Sequence, residues 1–236
     1  MALSSEEKIR YARQIAVPGI GKEGQERIRN SKVLVIGCGA LGSMVAMQLA
    51  GAGIGTLGLV DFDRIDISNL QRQFFFNTFE SGNLKIEILA KRLKDFNPDV
   101  SLILYPEMMT PQKGESVFPD YDFIVDATDN PESKRMTGFL SKKYGKACCI
   151  AGVRDFNGQV MTFLPENPRF EDYFGVSTSE GLLPCSLGGV MGPTASLCAS
   201  IQSSETLKYI AKVGELLSGR ILVFSLLTNS FRIFNL

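Results

Sequence analysis

Three features of the chain predict an α/β fold on a doubly wound, mainly parallel sheet that gains antiparallel strands at one end. A β-branched apolar run, residues 32–37 (KVLVIG), passes straight into a glycine-rich turn and then a small-residue helical stretch from about 41 to 52. A second apolar run, 56–61 (TLGLVD), closes a strand–helix–strand unit, which is parallel if its two strands share a sheet. Further on, 158–164, 220–225 and 231–235 read as alternating or hairpin strands. The combination is Rossmann-like.

The remaining elements follow in order. Ser4 and Glu7 stand as in a capping box and open a helix carrying Ile9, Arg10 and Arg13, so residues 1–30 are expected to form a helical arm. Residues 62–82 show no clean period and predict a structured loop over the sheet, of a length that commonly carries function. From 83 to 95 a helix is predicted, with Ile86, Leu89, Leu93 and Phe96 on its apolar face and Lys85 in its first turn. Strands at 100–105 and 123–127 flank a short helix near 111–117. Pro131 suits the first turn of a helix running to about 144, and a strand at 147–151 follows. Residues 165–189, rich in Pro, Gly and Ser, are expected to form a mobile crossover loop before an apolar helix from about 190 to 212. With no internal repeat, residues 1–236 are read as a single domain.

The chain carries 25 basic and 25 acidic residues, a balance that gives no field for nucleic acid or a membrane surface. No apolar run is long enough to span a bilayer and the first residues lack the apolar core of a signal peptide, so a cytoplasmic protein is expected. The cysteines, Cys38, Cys148, Cys149, Cys185 and Cys198, form no CxxC pair, which suggests neither a disulfide framework nor a zinc clip. Histidine is absent, and with it the commonest general base and metal ligand. Chemistry must therefore run on Asp, Lys, Arg, Cys or a bound cation.

Gly37, Gly39, Ala40 and Gly42 lie in a GxGxxG turn between strand and helix, with Asp61 at the end of the next strand. Such a turn lets phosphate approach the backbone and a helix N-terminus, while the acid accepts from ribose hydroxyls. That much suits NAD as well as ATP. The downstream set favours ATP: Asn69 and Arg72 lie just past Asp61, Lys85 opens the next helix, and a triphosphate being cut needs such cations where hydride transfer does not. Residues 126–130 (DATDN) fall at the carboxyl end of a later strand, where a carboxylate could hold Mg²⁺ with phosphate oxygens. Taken singly, Asp129-Asn130-Pro131 is equally an N-cap and turn, and Arg72 and Lys85 are equally solvated loop charges.

Together RYARQ (10–14), GCGALG (37–42), DFDRIDISNLQRQ (61–73), Lys85, DATDN (126–130) and CSLGGVMGP (185–193) resemble the ThiF/MoeB/HesA adenylyltransferases, relatives of the ubiquitin-activating enzymes. The resemblance implies that Asp61 binds the ATP ribose and that Asn69, Arg72 and Lys85 contact phosphates. It implies further that Asp129 coordinates Mg²⁺ and that Asp63, Gln73 and Asn130 complete the nucleotide contacts. Arg13 would reach the ATP site of a partner subunit, which implies a homodimer. The implied reaction is adenylation of the C-terminal Gly-Gly carboxylate of a ubiquitin-fold sulfur carrier protein, for thiamin or molybdopterin synthesis, with thiamin preferred on the Cys185 motif. Cys185 stands where relatives have a cysteine that can bond to the carrier, and a sulfurtransferase could take the activated carrier forward. The paired CxxC zinc ligands of many members are missing, so no zinc is expected. The competing readings are an NAD-dependent oxidoreductase and an inactive module of the same fold that only binds a ubiquitin-like partner.

Overall fold

The computed structural model describes residues 3–168, 172 and 188–236. The capping box forms: Ser4 accepts from the Glu7 N–H and Glu7 accepts from the Ser4 N–H at 2.7 Å. The first helix is shorter than expected, because α1 (Ser5–Arg10) ends at Tyr11 and α2 (Ala12–Ile15) starts afresh beyond it. A helix not foreseen individually, α3 (Gly21–Arg29), completes the arm and buries Ile28.

The sheet is built from β1 (Lys32–Ile36), β2 (Thr56–Val60), β3 (Ser101–Tyr105), β4 (Phe123–Asp126), β5 (Ala147–Arg154), β6 (Asn157–Phe163), β7 (Arg220–Ser225) and β8 (Ser230–Asn235). Its order is β3-β2-β1-β4-β5-β6-β7-β8. The first five strands are parallel neighbours, and β5 to β8 are joined antiparallel, as the strand patterns predict. Alternation sorts the core. Val33 and Val35 face one layer of helices, α4 (Gly42–Ala52), α5 (Lys85–Phe96) and α8 (Gly192–Ala211), while Leu34 and Ile36 face α6 (Pro111–Val117) and α7 (Pro131–Lys143). On α5, Ile86, Leu89 and Leu93 are buried as expected, but Phe96 at the helix end is about half exposed, with its ring against Gly51 of α4 rather than under the sheet core.

The order 3-2-1-4-5 reverses between β1 and β4, and open α/β sheets bind ligands in the crevice that such a reversal opens at the carboxyl ends of the strands. Two contacts set that crevice. Gly37 leaves β1 with φ +93°, and a Cβ there would press on the Ala127 carbonyl at the end of β4. Gln202 of α8 donates to the carbonyls of Asp126 at 2.8 Å and Cys149 at 3.3 Å, pinning α8 across β4 and β5.

At the far end of α4, three buried or half-buried amides seal its C-terminus. Gln14 and Gln25 both donate to the Ala52 carbonyl at 2.9 Å, and Asn97 donates to Ala50 at 2.7 Å. Tyr11 packs so closely on Gly53, which ends the helix at φ +82°, that no Cβ fits between them. The arm is thereby locked to the end of α4 opposite the glycine turn.

Candidate nucleotide-binding site

Where β1 meets α4 the chain has little steric choice. Gly42 begins α4 directly behind Gly37, and a Cβ on Gly42 would collide with the Gly37 carbonyl oxygen. Gly39 is different: its would-be Cβ meets only Gln73 Nε2 at 3.5 Å, an ordinary contact. Gly42 therefore serves the packing of helix on strand, and Gly39 leaves backbone open to the cavity.

Asp61 ties the turn to β2. Its Oδ2 accepts the Cys38 N–H at 2.6 Å and its Oδ1 accepts the Asp63 N–H at 2.7 Å, so the side chain holds the turn from below. Burial pushes the Asp61 carboxyl above the ordinary aspartate value, against those two N–H bonds and the nearby charge of Lys85. Each oxygen retains lone-pair capacity for a ligand hydroxyl.

The loop after β2 closes on itself. Ile65 donates to Asn83 at 2.9 Å and Gly82 to Ile65 at 2.8 Å, while Arg64 and Leu84 form a bridge. This closure returns the chain to Asp63 just as α5 begins, so that Lys85 donates from its backbone to the Asp63 carbonyl at 3.0 Å and from Nζ to Asp63 Oδ2 at 2.9 Å. Within the loop, Arg72 is half-buried and donates to the Ser68 carbonyl at 3.0 Å. Gln73 is buried and its Oε1 accepts no hydrogen bond among the described residues. A buried, unmatched acceptor costs free energy unless something donates to it, which suits a ligand-facing carboxamide.

Across the crevice, the end of β4 divides its acids. Asp126 is fully buried and committed: its oxygens take the Thr128 N–H and hydroxyl at 3.2 and 2.8 Å, Lys134 Nζ at 2.9 Å and the Thr137 hydroxyl at 2.9 Å. Asp129 is exposed and lines the open space. The Asn130 side-chain oxygen caps α7, accepting from the Ser133 N–H at 2.8 Å. That is the N-cap alternative noted from sequence, and this oxygen is occupied although Asn130 still borders the cavity.

These pieces enclose one cavity of about 1080 Å³. It brings together Gly37, Gly39, Ala40, Asp61, Asp63, Asn69, Arg72, Gln73, Lys85, Asp129 and Asn130. Gly42 lies behind the wall, as its packing role requires. Arg13 does not line it: the residue is exposed on α2, at the opposite end of α4. Cys185 lies outside the described residues, as does most of the 165–189 segment. Cys38, Cys148, Cys149 and Cys198 are buried, as expected, and burial raises all four thiols, Cys148 and Cys198 to about 12, so they stay neutral core.

Sequence reasoning missed Lys134 and Thr137. Their three-residue spacing inside α7, one turn beyond an N-cap, was the available signal for a pair facing back toward β4. It also missed the wall formed by Met109, Thr110 and Pro111 after β3 and by Gly152 and Val153 at the end of β5.

Among the described residues no group of three or more His, Cys, Asp or Glu could hold a metal by itself. Mg²⁺ needs no such cage, since it is commonly bound by one or two carboxylates together with substrate phosphates. The exposed Asp129, facing a cavity with Lys85 and Arg72, fits that donor pattern.

A doubly wound sheet with a glycine turn, a buried acid and a cation-bearing loop at its switch point defines a Rossmann-like α/β protein. The ThiF family pattern matches residues 11–236, and the chain belongs to that family. It is 35% identical over 237 residues to the "Probable adenylyltransferase/sulfurtransferase MoeZ" of Mycobacterium tuberculosis, covering 98% of this chain and 60% of that protein. It is 34% identical over 239 residues to the "Sulfur carrier protein adenylyltransferase" of Thermus thermophilus, covering 98% of this chain and 88% of that protein. The chain thus spans about 60% of the length of MoeZ. Among solved structures, PaaA superposes with a TM-score of 0.84 at 26% identity, over 99% of this chain and 75% of that one. Escherichia coli MccB with MccA-N7isoASN superposes with a TM-score of 0.84 at 22% identity, over 96% and 72%, a likeness of fold.

Proposed function

We propose that this protein is an adenylyltransferase that activates the C-terminal glycine carboxylate of a ubiquitin-fold sulfur carrier protein with ATP. The observation that carries the reading is the convergence of Lys85, Arg72, Asn69 and Asp129 on the cavity that also holds the glycine turn and Asp61. Relatives named as sulfur carrier and molybdopterin-synthase adenylyltransferases support the substrate class.

In this reading the Gly37–Gly42 turn cradles phosphate, Asp61 accepts from the ribose, and Gln73 Oε1 finds its missing donor on the ligand. Arg72 and Lys85 offset charge on the β- and γ-phosphates; Lys85 does so by sharing its ammonium between Asp63 and the ligand. Magnesium, held by Asp129, would add charge neutralisation on the phosphates. The carrier carboxylate attacks the α-phosphorus, one P–O bond forms as the bond to the bridging oxygen breaks, and pyrophosphate departs. No proton is moved, so the chain needs no general base, in keeping with the absence of histidine.

The reading extends to a homodimer in which Arg13 completes the partner's site. Its neighbour Gln14 is bound at the Ala52 end of α4, and an eleven-residue helix puts roughly 16 Å between that end and the glycine turn. That span exceeds an arginine side chain, which leaves a second copy as the site Arg13 could serve.

ATP–pyrophosphate exchange, measured with candidate small proteins ending in Gly-Gly, tests the function. Exchange is expected with a cognate carrier and to be lost in Lys85→Ala. No exchange with any such carrier would return the chain to the binding-module reading.

A further inference from the structure

We propose that Lys134 is a positioning residue that holds Asp129 in place for the magnesium-bound nucleotide; this rests on the reading of Asp129 given above. No hydrogen bond among the described residues holds the Asp129 carboxylate itself, so its placement comes from its neighbours. Lys134 Nζ bridges Asp126 Oδ1 at 2.9 Å and the Thr128 carbonyl at 2.7 Å. Thr128 is also bound to Asp126 through its N–H and hydroxyl. The residue before Asp129 is therefore held at three atoms, and the residue after it is held as the cap of α7.

The anchor is rigid. Asp126 ends a strand paired on both sides, with Ile36 and Ile150, and its second oxygen is taken by Thr137. An ammonium is well suited to the bridge, since it carries three donors and can satisfy a carboxylate and a carbonyl together. Lys134 itself is almost fully buried yet borders the cavity, so it spends its charge on the turn rather than on solvent.

The test is calorimetric titration of ATP into the protein across a series of Mg²⁺ concentrations, which reads assembly of the site without turnover. The variants are Asp129→Asn, the pair Asp126→Asn with Lys134→Met, and all three together; changing the pair jointly avoids burying a lone charge. Asp129→Asn and the pair variant are each expected to raise the Mg²⁺ needed for half-maximal ATP binding by about tenfold or more, as supporting residues around a metal do. The triple variant should be no worse than Asp129→Asn, because residues acting through one another are not additive. Lys134→Arg, which keeps the charge, should restore most of the wild-type behaviour. A wild-type Mg²⁺ requirement in the pair variant, with a raised one in Asp129→Asn, overturns the role of Lys134 and leaves the function standing. Full additivity in the triple variant overturns it as well. An unchanged requirement in Asp129→Asn overturns the reading of Asp129 and this inference with it. If the pair variant does not fold, Thr137→Val loosens Asp126 while keeping the ion pair. There a rise of about threefold supports the inference and none overturns it.

Discussion

In the proposed reading Asp61 does two jobs with one carboxylate, and pH separates them. Its folded-state pKa is raised, so its contribution to stability is present at low pH and is lost as pH rises through the folded value. Nucleotide binding has the opposite sign, because ribose hydroxyls need the ionised acceptor. ATP affinity is expected to fall as pH is lowered, beginning at a higher pH than for an exposed aspartate. Calorimetry of Asp61→Asn should show weaker binding without that dependence; an unchanged profile would assign the titration to another group. The glycines separate likewise. Gly42→Ala should cost about 1–3 kcal/mol or more through its collision with the Gly37 carbonyl, seen as a lowered Tm. Gly39→Ala should melt like wild type and lose nucleotide affinity. At this scale the sequence was informative wherever a motif has a single stereochemical solution. It was silent on Lys134, because the partner of a charge depends on tertiary contacts that spacing alone does not specify.

Among elements, α4 was legible from sequence almost to the residue, since glycines bracket it: Gly42 at its start and Gly53 in the left-handed conformation at its end. The arm was legible as helical and at its capping box, but not in how it divides. Its break at Tyr11 and the existence of α3 depend on docking, since Tyr11 turns in to bond Asn97 at 2.9 Å and pack against Gly53. The amide cluster on Ala52 makes this docking measurable. Gln25→Ala removes a fully buried donor and leaves Gln14 without its 2.5 Å partner Gln25 Oε1, a loss of about 1–3 kcal/mol. For a chain of this size the Tm should drop by about 2–4 °C per kcal/mol. An unchanged Tm would mean that the arm contributes nothing to the stability of α4.

For the molecule as a whole, the parallel half of the sheet carries the candidate nucleotide site, and the antiparallel half extends away from it. The strand periods revealed that division because alternation and continuous apolar runs report burial on one face or on two. They could not reveal a shared site between copies. Mixing two inactive variants can. Arg13→Ala and Lys85→Ala, each expected to abolish exchange as a homodimer, should regain up to about a quarter of wild-type activity when co-expressed, since random pairing gives half heterodimers and each has one intact site. No recovery would place Arg13 outside the active site or the protein outside a dimer.

The acids and bases around the cavity have one more consequence. Its described lining carries Arg64, Arg72, Lys85 and Lys134 against Asp61, Asp63, Asp66, Asp129 and Glu132, one more carboxylate than cation. An empty crevice with that balance is no sink for anions. Free phosphate or sulfate should meet little net attraction there, so a nucleotide would be held by directed contacts from the glycine turn, Arg72 and Lys85 rather than by the overall charge of the pocket. On the proposed reading, specificity then rests on where individual donors stand and not on a positive field.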